Sequence, residues 1–307
     1  MPIKFGTDGW RAIIAKDYTF ANVQICTQAI CNMLKANKED SKGIIIGYDT
    51  RFLSKEFAES AAQVMTANKI TTYLCDRPAP TPVITHNVIT KNTAGAIIIT
   101  ASHNPPNWNG FKYKPDYGGS ASTEIVNNIE QEILKINSKE SIKSLSSNDL
   151  KSSIYLNCFN PNPSYIQHIS SLVDLEKIRN SGLSIGIDSM YGSGSGYLSN
   201  IISGGTARTY EINAEYNPSF PGIKQPEPIK ENLSNLMNLV KENNKINIGL
   251  ATDGDADRLG VINEKGEYIS TLEVFSLICL YKLKILKEKG AIVKSITMTN
   301  MIDKIGD

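Results

Sequence analysis

The sequence predicts an α/β fold: two successive layered α/β domains with mixed, largely parallel sheets, plus the start of a third. Three observations predict it. Short apolar, β-branched runs at 43–48, 70–74 and 96–100 alternate with stretches of helical periodicity, and strand–helix alternation builds parallel sheets. The same alternation restarts after a polar stretch near residue 150. Finally, 307 residues exceed what one hydrophobic core usually holds.

In chain order, residues 2–15 form a hairpin-like start that turns at Gly6-Thr7-Asp8-Gly9 and returns with Arg11 near the turn. An arginine there reads either as a solvated surface group or as a functional one. Thr19 caps a helix with Val23, Cys26, Ile30, Met33 and Leu34 on one face. Residues 43–48 make a buried strand with Asp49-Thr50-Arg51 at its carboxyl end, and Ser54 starts an alanine-rich helix to Asn68. The strand at 70–74, the prolines at 78, 80 and 82, and a helix through Thr85 to Ile89 lead to the strand at 96. After Lys112 come a polar loop at 115–122 and an amphipathic helix carrying Ile125, Ile129, Ile133 and Ile136. Residues 137–153 are rich in serine and lysine without apolar periodicity, so the first domain is 1–150.

The second domain, 151–267, reads as a helix over 162–180, strands at 183–188, 206–212 and 246–251, a helix at 228–243 and a returning strand at 259–263. The first of these strands runs into the glycine-rich turn Ser189 to Gly196. That turn is either a structural connection or a phosphate cradle, and Tyr197 stands where a dinucleotide pattern needs its third glycine. Residues 268–307 hold a helix at 271–288 and a strand at 291–299, too little for a whole domain. The expectation is an incomplete piece of a longer protein, whose unpartnered apolar face associates with another chain or stays poorly ordered.

Composition narrows the function classes. With 32 basic and 31 acidic side chains the net charge is +1, which gives no basic footprint for nucleic acid or a membrane surface. Five cysteines without a CxxC pair read as reduced thiols in a cytoplasmic protein, and no apolar run reaches spanning length.

Two stretches carry chemistry. In residues 96–113 a strand ends abruptly in Ser102-His103-Asn104-Pro105-Pro106. Prolines lack the backbone N–H and bias the preceding residue away from helix, so a hydroxyl is presented at the end of a rigid strand. The second is Asp253, Asp255 and Asp257 in a loop. Three carboxylates so spaced repel unless a cation neutralises them, and hard oxygen donors favour Mg²⁺ or Ca²⁺ over zinc. A calcium EF-hand fails because Arg258 occupies the position needing glycine, and the flanks read as strands. A solvated acidic turn is the bland alternative.

The run Thr100 to Pro106 resembles the phosphoserine loop of the α-D-phosphohexomutases, the phosphoglucomutase/phosphomannomutase family. The loop from Asp253 to Arg258 resembles that family's metal loop, 6–11 its N-terminal arginine motif, and Asn109 to Lys112 its lysine motif, all in the family's order. The resemblance implies a reversible 1-phosphate/6-phosphate transfer on glucose or mannose, through phosphorylated Ser102 and a hexose 1,6-bisphosphate that also serves as activator. It implies one Mg²⁺ held by Asp253, Asp255, Asp257 and the Ser102 phosphate, with Arg258 beside that phosphate. Arg11 would serve the catalytic centre. Lys112 would be the general acid/base, its pKa depressed by cations such as Arg11 and His103. His103 is either catalytic or a polar turn residue; in an extended segment it would point away from Ser102. The family's sugar-selecting and distal-phosphate loops do not appear, which implies little turnover by this chain alone. Other readings are a truncated, non-catalytic metal- or phosphosugar-binding relative and a Mg²⁺-dependent phosphatase, which would need a nucleophilic aspartate. A serine hydrolase would need a Gly-x-Ser-x-Gly elbow that Ser102 lacks.

Overall fold

A computed structural model describes residues 3–6, 8–136 and 141–306. Pro2, Thr7 of the N-terminal motif and residues 137–140 of the serine- and lysine-rich stretch lie outside them. The first unit is built on β2 (Ile44–Tyr48) and β4 (Gly95–Ile99), in which every residue is buried. Strands apolar on both faces must be covered on both faces. The chain leaves β2 through α2 (Ser54–Ala67) to β3 (Thr72–Cys75) on one side, then crosses back through α3 (Thr81–Lys91) to β4 on the other. Right-handed crossovers in opposite directions put α2 and α3 on opposite faces. Helices α1 (Phe20–Ala36), capped by Thr19, and α4 (Thr123–Lys135) complete the α2 layer.

Two antiparallel strands extend the parallel centre. β5 (Trp108–Pro115) pairs with β4, and β1 (Trp10–Ile13) pairs with β5. No periodicity in the sequence announces β5, whose polar residues Asn109, Lys112 and Lys114 are all buried. After a short α5 (Ser147–Lys151), β6 (Leu156–Phe159) joins β3 at the far edge, so the order is β1-β5-β4-β2-β3-β6.

Helices α6 (Asn162–Leu172) and α7 (Leu175–Arg179) stand where one helix was expected over 162–180, and lead into the second unit. Its central strand β7 (Ser184–Asp188) is fully buried between β8 (Arg208–Ile212) and β9 (Ile248–Thr252), both parallel to it. β10 (Leu259–Ile262) and β11 (Tyr268–Ile269) continue the sheet antiparallel. The short α8 (Tyr197–Ile202) and α9 (Ser234–Glu242) pack around it, and Leu233, Leu236 and Val240 seal one face. Both units are therefore layered α/β with mixed sheets whose centres are parallel, as the sequence predicts.

The last segment departs from expectation. α10 (Thr271–Leu280), opened by a capping box of Ser270 and Glu273, passes into a π-helical turn over Tyr281–Ile285. Residues 291–299 form no strand, and α11 (Met301–Gly306) follows. The run pairs with neither edge of the second sheet, β11 or β8, and β-structure requires a partner strand. Among the described residues no helix is long and apolar enough to cross a membrane. The five cysteines are free; Cys158 is exposed and the other four are buried.

Candidate active site

The carboxyl ends of β4 and β9 face each other. Beyond β4, Thr100 and Ala101 remain buried and the chain turns at Ser102, whose φ of 51° lies in the left-handed region. The Thr100 Oγ1 accepts from the Ser102 N–H at 2.8 Å. The rest of the turn is held by a residue that sequence reasoning passed over. Arg51, beyond the carboxyl end of neighbouring β2, is 1% exposed. Its Nη2 donates to the carbonyls of Ser102 (2.7 Å) and Asn104 (2.6 Å), its Nη1 to those of Pro105 (2.9 Å) and Trp108 (3.1 Å).

Beyond β9, Asp253 and Asp255 are buried while Asp257 reaches solvent. One oxygen from each lies within 4.8 Å of the others. Ser102 Oγ donates to Asp253 Oδ2 at 2.9 Å, joining groups 151 positions apart. Asp253 Oδ1 accepts from the backbone N–H of Asp257 and of Arg258, each at 3.0 Å. Asp255 Oδ2 accepts from Thr81 Oγ1 at 2.7 Å and Lys112 Nζ at 2.9 Å. Its Oδ1 is buried without a hydrogen-bond partner. Burial, then the charges of Asp255 and Asp257, push the Asp253 pKa up. Burial, then Asp255, does the same to Asp257. Burial would raise Asp255 too, but Lys112 and the hydroxyl of Thr81 hold it well below the usual carboxylate range. An orphaned buried oxygen inside a set of hard oxygen donors fits a divalent cation.

The sequence-predicted groups fall into place unevenly. Lys112 projects from β5 into the triad, 2.8 Å from Asp8, 2.9 Å from Asp255 and 3.6 Å from Asp257. Burial would lower its pKa, but these three carboxylates outweigh burial and raise it. The expected depression by neighbouring cations is therefore wrong, because the ammonium's contacts are anions. Arg11 donates to Asn104 Oδ1 at 2.8 Å and lies 3.6 Å from Asp8, so it touches the serine turn. His103 does not point away: its Nδ1 lies 3.3 Å from Ser102 Oγ. The positive φ at Ser102 folds the segment back, where an extended chain would have separated the two side chains. Arg258 pairs with Glu227 Oε1 at 3.0 Å with its side chain 44% exposed, and that carboxylate also lies 4.0 Å from His103 Nε2.

Asp8, Thr81 and Glu227 also went unread, being single polar residues without a spacing pattern. Arg51 offered one signal, its place just after a buried parallel strand, where ligand-facing groups collect. The middle of the glycine-rich turn, Tyr191 to Ser193 and Ser195, lines a cavity of about 700 Å³, while its two ends are tied by a carboxylate of the chain. Glu211 accepts from Ser189 Oγ (2.6 Å), the Gly196 N–H (2.8 Å) and Ser199 Oγ (2.5 Å), so a carboxylate of this chain takes the place of an anion.

Known proteins share this architecture. The family description "Phosphoglucomutase/phosphomannomutase, alpha/beta/alpha domain I" matches residues 2–140, and the corresponding domain II matches 163–266. A phosphoglucomutase from Komagataeibacter xylinus is 28% identical over 99% of this chain and 58% of its own length. A Pyrococcus horikoshii protein provisionally named a phosphoglucosamine mutase is 32% identical over 95% of this chain and 60% of its own. A solved structure from Thermus thermophilus, provisionally named a phosphomannomutase, superposes with a TM-score of 0.88 at 28% identity, covering 100% of this chain and 67% of that one. The class defined by fold and site is a two-unit α/β protein with a serine facing an aspartate triad. Within it, the chain belongs to the α-D-phosphohexomutases, the phosphoglucomutase/phosphomannomutase family. It spans about three-fifths of the length of the curated relatives it matches.

Proposed function

We propose that this chain carries the phosphoryl-transfer centre of a phosphohexomutase, which interconverts the 1- and 6-phosphates of glucose or mannose through a phosphoserine at Ser102. The observation that supports this most is the 2.9 Å contact between Ser102 Oγ and Asp253, because it brings a nucleophile to a carboxylate triad. Asp253, Asp255, Asp257 and Ser102 would hold one Mg²⁺. When bound, that ion offsets negative charge on phosphoryl oxygens.

The remaining work belongs to the chain's own groups. In the forward transfer the bond from phosphorus to Ser102 Oγ breaks and a bond to the hexose hydroxyl oxygen forms. The hydroxyl gives up a proton and Oγ gains one. Lys112, held charged by its carboxylates, starts as the acid of this exchange and is recharged by the attacking hydroxyl. In the return step the same exchange runs backwards: the bond from phosphorus to the hexose oxygen breaks as one to Ser102 Oγ forms, the hexose oxygen gains a proton from Lys112, and the proton that Oγ gives up recharges Lys112. His103 Nδ1 lies 3.3 Å from Oγ, and burial, then Arg258, lower its pKa, which favours the neutral ring as a relay for that proton. Arg11 braces the turn through Asn104, and Arg258 would meet substrate phosphate at the solvent edge.

We further propose the division 1–150, 151–267 and 268–307, with β6 sharing the first sheet, and a cytoplasmic location consistent with four buried free thiols. Turnover by this chain alone is expected to be low.

Incubation with glucose 1,6-bisphosphate or mannose 1,6-bisphosphate and Mg²⁺, followed by peptide mass spectrometry, tests the reading. The expected result is one phosphoryl group on Ser102, lost in Ser102→Ala. An unmodified Ser102 with both bisphosphates overturns the proposal.

A further inference from the structure

We infer that Arg51 is the positioning residue of the serine turn: its guanidinium sets where Ser102 Oγ stands. This deepens the function just proposed and rests on it for its kinetic arm. A guanidinium has five N–H donors in a fixed fork. Here four donor contacts reach carbonyls within seven residues of chain, at Ser102, Asn104, Pro105 and Trp108. The remaining donor, Nε, lies 3.3 Å from Asp49 Oδ2.

The turn needs such a partner. Pro105 and Pro106 offer no N–H, and Ser102 is held at φ 51°, a conformation that strains a non-glycine residue and persists only when its surroundings impose it. The surroundings that impose it converge on Arg51. Asp49 Oδ1 accepts from the Arg51 N–H at 2.9 Å and from Ser54 Oγ at 2.7 Å, which fixes the arginine at its base. The Phe220 ring of the second unit covers the guanidinium at 5.2 Å. The Ser102 carbonyl that receives Nη2 is also the atom against which Gly254 of the metal loop packs. Arg51 therefore touches neither the reacting oxygen nor the triad, yet it holds the peptide between them. A lysine could keep the charge but not reach four carbonyls in different directions, since its three donors leave one atom.

The test compares Arg51→Lys with the unaltered chain in two assays. The first is hydrogen exchange of the amides in 101–108. The second is single-turnover phosphorylation of Ser102 by hexose 1,6-bisphosphate. We expect exchange in the turn to rise by about tenfold while the rest of the sheet is unchanged. The maximal rate should fall on the order of 10²-fold, with the half-saturating bisphosphate concentration unchanged, as for a displaced reacting atom. A wild-type maximal rate, or unchanged exchange in the turn, overturns the inference. If Arg51→Lys does not fold by circular dichroism, Asp49→Asn, which keeps the arginine but loosens its base, carries the same two readouts, with the same direction expected and the same results overturning it. If the unaltered chain is never phosphorylated, the proposed function falls, and the exchange result alone decides the role of Arg51.

Discussion

Three aspartates of one loop titrate differently because their neighbours differ. Asp255 is neutralised by the Lys112 ammonium at 2.9 Å, whereas Asp253 has only a serine hydroxyl and two backbone N–H groups against the charges beside it. Burial and the neighbouring carboxylates raise Asp253 and Asp257, so the metal-free loop holds protons more tightly than ordinary aspartates do. A divalent cation must displace those protons, so its affinity should fall as pH drops through neutrality and rise as pH increases. Calorimetry with Mg²⁺ in two buffers of different ionisation enthalpy checks this, and proton release on binding is the expected signature. At this scale the sequence was legible wherever a pattern repeated. The triad's spacing and the Ser-His-Asn-Pro-Pro run stood out, while Asp8, Arg51, Thr81 and Glu227 did not. His103 was misplaced because its direction hangs on one backbone dihedral, which residue types alone do not fix.

Elements were legible where burial imposed periodicity. β2, β4 and β7 are buried throughout and were found. β5 was missed because its buried polar residues serve the site rather than a core: Asn109 donates to Ser54, and Lys112 and Lys114 both reach Asp8. The glycine-rich turn is open to two readings, and Glu211 ties both of its ends. Glu211→Ala leaves three donors without their acceptor and should destabilise the chain by about 2 kcal/mol, read as a lower urea midpoint at constant slope. α10 and the turn after it expose Leu277, Ile278, Tyr281 and Ile285, with the last at 67%. Contiguous apolar surface of this kind favours association of copies. Sedimentation velocity should show concentration-dependent self-association that Leu277→Lys weakens; a monomer at every concentration would contradict it.

At the scale of the molecule, the two units meet through loops rather than through a shared core. The contacts include Ser102 to Asp253, Lys112 and Thr81 to Asp255, Thr50 Oγ1 to the Tyr191 carbonyl at 2.7 Å, and the Phe220 ring over Arg51. No spacing within one loop announces a contact to another unit, so this joint could be inferred from the sequence only as a convergence and not as a geometry. Its narrowest point is Gly254. A Cβ there would stand 2.5 Å from the Ser102 carbonyl oxygen, and behind it the turn at Gly192 presses on the Asp253 and Gly254 backbones. Neither side offers a flexible side-chain end that could yield, so one loop must withdraw. Gly254→Ala should therefore separate the serine from the triad while leaving each sheet intact. The loop would keep its three aspartate ligands and lose only Ser102, so cation binding should weaken but stay measurable, whereas phosphorylation of Ser102 should fall on the order of 10²-fold from misplacement alone. Measuring Mg²⁺ affinity and Ser102 phosphorylation on the same preparation distinguishes this from general unfolding, in which both would be lost together.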